Sequence, residues 1–281
     1  MSATPAFPGT TTATGTTTTG TTTTGTAAAP PAAIRSPALL KLSLTELKLL
    51  SRERVRMALP VAVPLVLLII LGSIHSLRQP VALYGGASFI DIYTTTLVVM
   101  GLALLALTNM PMMLADYRER GVLRRLQTTP IGPVRVLVAQ LVADLTIAVA
   151  MVVLILAVAR IGFAVPLPRQ PGAFVLSALL AAAALLAAGL LVAAIAPTGR
   201  VARGIGALLF YPMMFFAGLW LPIPNMPATL QHISHATPLG AAGPALAAAT
   251  AGSWPTALQL LTLAAWAVAL GLAAARFFRW E

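Results

Sequence analysis

Six stretches of this chain are each apolar for about as long as a helix must be to cross a bilayer, roughly 20 residues for a hydrocarbon core of roughly 30 Å. They run from Ala58 to Leu77, Phe89 to Ala115, Val134 to Ala159, Ala173 to Ala196, Ile205 to Leu221 and Thr256 to Ala275. A backbone surrounded by lipid must satisfy its own N–H and C=O groups, which segments of this length do as helices. The rest of the chain cannot build a water-facing surface around so much apolar material. Only 9% of the 281 residues are charged and 58% are hydrophobic, whereas soluble domains carry about 25% and roughly 45–50%. The sequence therefore predicts an all-α integral membrane protein with six transmembrane helices.

The basic residues orient these spans, because Lys and Arg are retained on the cytoplasmic side. Arg35, Lys41, Lys48, Arg52, Arg54 and Arg56 precede the first span, and Arg118, Arg120, Arg124, Arg125 and Arg135 lie between the second and third. Arg200 and Arg203 follow the fourth span, and Arg276 and Arg279 follow the sixth. One side thus holds all of the 18 Lys and Arg residues except Arg78, Arg160 and Arg169. The predicted location is the cell's inner or plasma membrane, multi-pass, with both termini cytoplasmic. A net charge of +11 distributed between apolar segments does not form the basic, base-reading surface that nucleic acid requires, so the lipid bilayer and not nucleic acid is the expected surrounding. With no cysteine, disulfides, thiolate metal sites and cysteine nucleophiles are excluded.

Residues 1–35 are rich in Thr, Gly, Ala and Pro, a composition that cannot bury a core and reads as a disordered cytoplasmic tail. They lack the charged and apolar regions of a signal peptide. From Ser36 to Met57, apolar Leu39, Leu40, Leu42, Leu47, Leu50 and Val55 alternate with basic residues and with Glu46 and Glu53, the pattern of an amphipathic helix lying in the membrane interface. The connection from Pro222 to Pro255 contains no Lys, Arg, Asp or Glu and is broken by Pro222, Pro224, Pro227, Pro238 and Pro244. Prolines prevent a single crossing helix. A re-entrant outer segment of short helices between the fifth and sixth spans is predicted, since non-helical backbone at that depth needs protein or a water-filled cavity around it.

The loop Asp116 to Pro130 carries Val122, Leu123 and Leu126 on one helical face beside Arg124 and Arg125. This suits a short helix seated in the groove of a soluble partner, although basic loops also arise simply to fix topology. With the amphipathic segment before the first span and the stretch FFAGLWLPIPNMPATLQHISHATPLGAAGPAL after the fifth, the YRERGVLRRLQTTPI stretch resembles the permease subunits of type-2 ATP-binding-cassette exporters, in the group that includes the daunorubicin-resistance permeases. The resemblance spans residues 36–281 in order and spacing and rests on the three features together. It implies that residues 36–281 form a permease transmembrane domain. It also implies a separate ATPase subunit that binds ATP and Mg, and a second permease copy, identical or similar. Glu119, Arg120, Gly121, Leu123, Arg124 and Arg125 would contact the ATPase, and Gly218, Trp220, Pro222, Pro227 and Pro238 would frame the re-entrant segment. Trp220 departs from the small or apolar residue usual there, and either narrows an outer cavity or serves as an interfacial aromatic.

The chain itself has no G-x-x-x-x-G-K-[ST] loop, and its only lysines are Lys41 and Lys48, so no phosphate cradle of that kind is present. No H-E-x-x-H or G-x-S-x-G occurs. No catalytic residue and no resident cofactor or metal is therefore expected, and the chain reads as a transporter subunit rather than an enzyme. Asp144, one turn after Gln140, is the deep intramembrane charge; it lines a pathway or pairs with Arg135 or a neighbouring helix. His232 and His235 share a helical face, as metal ligands would, but no cysteine or nearby carboxylate completes a site. The Ala-rich fourth span with Gly189 permits close helix approach. The expected cargo is a hydrophobic or amphipathic compound, a drug, natural product or lipid, moved outward. An ion-coupled secondary carrier, or a membrane scaffold without transport, remains the alternative; a carrier would show several buried ionisable groups and internal repeats.

Overall fold

The computed structural model describes residues 54–81, 86–120, 133–220 and 223–277, all within one compact unit, 36–281. Residues 1–35, most of the amphipathic segment Ser36 to Met57, and the positions Gly121, Leu123, Arg124, Arg125 and Pro222 lie outside the described residues. Among the described residues the fold is all-helical, with no strand beyond one isolated bridge between Pro80 and Ser88. Its helices are α1 (Arg54–Ser73), α2 (Phe89–Leu104), α3 (Met110–Glu119), α4 (Pro133–Phe163), α5 (Pro171–Ile195), α6 (Gly199–Phe216), α7 (Ala228–Ala236), α8 (Pro238–Ala251) and α9 (Ala257–Phe277).

Four segments are long and apolar enough to cross a membrane: Phe89–Glu119, Leu137–Phe163, Pro171–Ile195 and Ala257–Phe277. The first of these is the axis of the molecule. Of its apolar stretch 72% is buried, against 11% for Ala257–Phe277, so the last helix, which packs along α5, leaves most of its surface for lipid. On α1 the buried face is a stripe at four-residue spacing, Pro60, Pro64, Leu68 and Gly72; one helical turn per step puts these residues above one another. Gly72 receives the Phe163 ring and Gly101 of α2 receives the Met151 thioether, which ties α1, α2 and α4 together.

The boundaries depart from the apolar runs where capping groups intervene. The first helix stops at Ser73, and His75–Arg78 forms a separate 3-10 turn, so the run to Leu77 is not one helix. The fifth segment begins at Gly199 and ends at Phe216 rather than spanning Ile205 to Leu221. Thr198 caps its start by accepting from the Val201 N–H at 3.3 Å, which places Arg200 and Arg203 in its opening turns. Gly218, at φ 82°, closes it: its N–H donates to Phe215 O and the Leu219 N–H to Met214 O. A left-handed residue at this position is how helices commonly end, and glycine adopts it without a Cβ penalty.

The second span is interrupted at Leu105–Asn109 by a π-helical turn between α2 and α3. The Met110 N–H donates to Leu105 O rather than to Ala106 O, and Pro111 has no N–H to give Leu107 O. Two successive carbonyls therefore lose their α-helical donors. Gly189 of α5 lies against the Ala106 carbonyl and Gly206 of α6 against the Leu107 carbonyl. An added Cβ at either glycine would stand 3.0 Å from the carbonyl carbon and closer still to the oxygen. The glycines let two neighbouring backbones approach the exposed carbonyls, in the arrangement that weak Cα–H···O contacts favour at helix interfaces. The close approach expected of Gly189 from the sequence is thus found, with its counterpart at Gly206.

Candidate functional site

At the C-terminal end of α3 three helices meet. Arg118 donates to Ala194 O at 3.4 Å and, more closely, to Ala196 O. These carbonyls belong to the last turn of α5 and its cap, where helix carbonyls lack internal partners and a cation is favourably placed by the helix dipole. The adjacent Glu119 accepts from the Gly199 N–H at 3.4 Å, at the first turn of α6, where a carboxylate is correspondingly favoured. An added Cβ at Gly199 would lie 3.0 Å from the Asp116 Cγ, so a larger residue there would displace the Asp116 carboxylate. Arg203, one turn into α6, directs its guanidinium at the Met112 sulfur at 2.7 Å. The end of α3 is thereby fastened to the turn that joins α5 and α6.

Of the residues expected to contact a partner, Glu119 and Arg120 are described and both are exposed. Glu119 additionally serves this internal clamp. Arg118 was legible only as a topology charge, because the α5 carbonyls it serves lie far away in sequence.

At the opposite end of the bundle the segment after α6 forms short helices. Pro227 caps α7 and Pro238 opens α8 behind Thr237, whose hydroxyl accepts from the Gly240 N–H at 3.1 Å. Proline suits the first helical position because an N–H there would be unsatisfied. The buried Ser234 donates to Phe216 O at 2.6 Å and the Trp266 indole to Ala236 O at 2.7 Å, so α7 is held to α6 and α9. His232 and His235 are exposed on α7, and among the described residues no group of three His, Cys, Asp or Glu comes together.

This end also carries two joined clefts. One, of about 430 Å³, is bounded by Phe89, Tyr93, Leu219, Trp220 and Ile223. The other, also about 430 Å³, is bounded by Asp91, Arg169, Thr250 and Pro166. Ile92, Thr95 and Ala247 belong to both. Trp220 is 58% exposed and lines the apolar cleft. Neither the cleft nor the part played in it by Asp91 and Arg169 was read from the sequence, where Arg169 stands only as one of the three basic residues on the side opposite the rest.

Asp144 and Gln140 lie one turn apart on α4 at 0% and 1% exposure, and neither lines these clefts. Among the described residues both polar atoms of the Gln140 amide lack hydrogen-bond partners, a costly state for a buried amide. Arg135, the partner considered for Asp144 from the sequence, is exposed.

Long apolar helices, a broken central span and short helices packed at one end define a multi-pass membrane protein. Residues 38–249 match the family described as ABC-2 type transporter, and the chain belongs to that family as a transmembrane transporter permease. No curated protein matches it.

Proposed function

We propose that this chain is the membrane-spanning half of an exporter that moves a hydrophobic or amphipathic compound with energy from a separate ATPase. In this reading α1 and α6 complete six spans, both termini lie in the cytoplasm, and α7 and α8 re-enter the membrane from outside. The clamped end of α3 then faces the cytoplasm, as the basic residues around it favour. The family match over residues 38–249 carries the reading, because permeases of this family normally work with an ATPase subunit. ATP and Mg belong to that subunit, since this chain has no phosphate-binding loop of the usual pattern.

The loop after Glu119, including Gly121, Leu123, Arg124 and Arg125, is the proposed docking element. Its base is the corner where Arg118 and Glu119 hold the α5–α6 turn. A second permease copy, identical or similar, completes the path. The partner's nucleotide can shift the permease only by favouring one of its conformations over the other. Purification of the full chain from its native host in mild detergent tests the proposal: a stoichiometric ATPase bearing a phosphate-binding loop is expected. A lone chain that drives flux from an ion gradient would overturn it.

A further inference from the structure

The paired clefts differ in chemistry along their length. At one end the walls are Phe89, Tyr93, Leu219, Trp220 and Ile223. At the other an acidic and a basic residue, Asp91 and Arg169, line the same space. Ligand sites commonly combine roughly 300–1,000 Å³ of mostly apolar lining with a few placed polar groups, and each half of this cleft is of that size.

The two residues stand on different elements, Asp91 in the first turn of α2 and Arg169 in the loop between α4 and α5. Asp91 is held in a capping box at the start of α2: its carboxylate accepts from the Ser88 N–H at 2.8 Å, and the Ser88 hydroxyl accepts from the Asp91 N–H at 3.3 Å. Arg169 is set at the end of α8, where its N–H donates to Thr250 O at 3.4 Å and the Gln170 N–H to Ala249 O at 3.1 Å. Its side-chain stem passes alongside Gly252, at φ 101°. Among the described residues no ion pair joins Asp91 to Arg169. Side chains of opposite charge that line one cleft without pairing with one another are complementary to a ligand bearing both signs.

We infer that this cleft binds a zwitterionic phospholipid, its ammonium toward Asp91, its phosphate toward Arg169 and its chain along the Trp220 wall. Arginine suits phosphate because its planar fork can donate twice, and a carboxylate attracts the ammonium. A purely anionic amphiphile would meet the Asp91 carboxylate, and a purely cationic one the Arg169 guanidinium. The inference deepens the permease reading by naming a ligand class, and rests on it only in treating the lipid as cargo; binding itself requires no ATPase.

The test uses the full chain in non-ionic detergent, with quenching of tryptophan fluorescence by lysophospholipids brominated on the acyl chain. Saturable quenching by lysophosphatidylethanolamine is expected, at lower concentration than by lysophosphatidylglycerol of the same chain. Trp220→Phe should remove most of the saturable signal. Asp91→Asn keeps an acceptor for the capping box, and Arg169→Gln keeps a polar stem; each should weaken lysophosphatidylethanolamine binding roughly tenfold, the loss of one charge-assisted contact. Asp91→Asn should in addition abolish or reverse the preference over lysophosphatidylglycerol.

Each variant is compared only where its melting temperature matches the parent, and Asp91→Ser and Arg169→Met, which also remove the charge, serve where it does not. Equal quenching by both headgroups, or headgroup preference unaltered by the charge variants, would overturn the inference. The first result would mean ordinary solvation by lipid chains. Failure to find an ATPase would leave this binding result standing, and absence of binding would leave the permease reading standing.

Discussion

Replacing Gly206 with alanine places a methyl group against the Leu107 carbonyl, with the carbonyl carbon 3.0 Å and the Thr108 Cα 3.6 Å away. Carbon atoms in favourable contact stand about 3.5–4.0 Å apart, so α6 or the π turn must retreat by at least half an ångström, and further to clear the oxygen. Both sides of the contact are backbone, and no flexible side chain is available to absorb the shift. Overpacking of this sort costs about 1–3 kcal/mol. Gly204 supplies the comparison on the same helix: nothing lies within 4 Å of its added Cβ, and Gly to Ala in a helix interior contributes about 0.5–1 kcal/mol of stability.

Both substitutions gain the same helix propensity, so the two variants should differ by the overpacking cost, about 1–3 kcal/mol. With about 2–4 °C per kcal/mol for chains approaching this size, Gly206→Ala should melt on the order of 2–12 °C below Gly204→Ala. The measurement is thermal unfolding of the purified protein in one detergent at one scan rate, because irreversible unfolding makes the midpoint rate-dependent. Equal midpoints for the two variants would refute the claim that Gly206 is required for close approach to the broken carbonyl row.

Ala164 follows α4 at φ 57°, with its N–H donating to Arg160 O and the Val165 N–H to Ala159 O. Ala164→Gly should raise the melting temperature in the same assay, because the left-handed conformation costs an L-residue about 1–2 kcal/mol, partly offset by the larger entropy glycine loses on folding. Arg118→Met keeps the aliphatic stem but removes both donors to Ala194 and Ala196; at this half-buried position a loss of about 1–2 kcal/mol is expected, read as a lower melting temperature. A variant as stable as the parent would show that those carbonyls find water or another donor equally well.

Helix existence was legible because apolar length is a property of consecutive residues, and each run found from the sequence contains a helix. Helix ends were less legible. They depend on which residue caps, as at Thr198 and Gly218, and the run of Ile205 to Leu221 continues past the glycine that stops α6. The π turn was not legible at all, since Pro111 reads equally as the start of a kink or of a helix; its form depends on Gly189 and Gly206 arriving from two other helices. At the candidate site the basic cluster was visible, but the inward engagement of Arg118 and Glu119 was not, because the carbonyl and N–H groups they serve carry no sequence signature. Asp91 and Arg169 came to line one cleft only once the loop between α4 and α5 was set against α8 and α8 packed beside α2.

The fastening of α3 to the α5–α6 turn has a mechanical corollary. A force delivered to the loop after Glu119 reaches a corner shared by three rods, so it acts on all three together instead of sliding one past its neighbours. The other end of α3 is the π turn at Leu105–Asn109, where two carbonyls lack their α-helical donors. The lever arm between the corner and that interruption is about 15 Å of helix at the usual rise per residue.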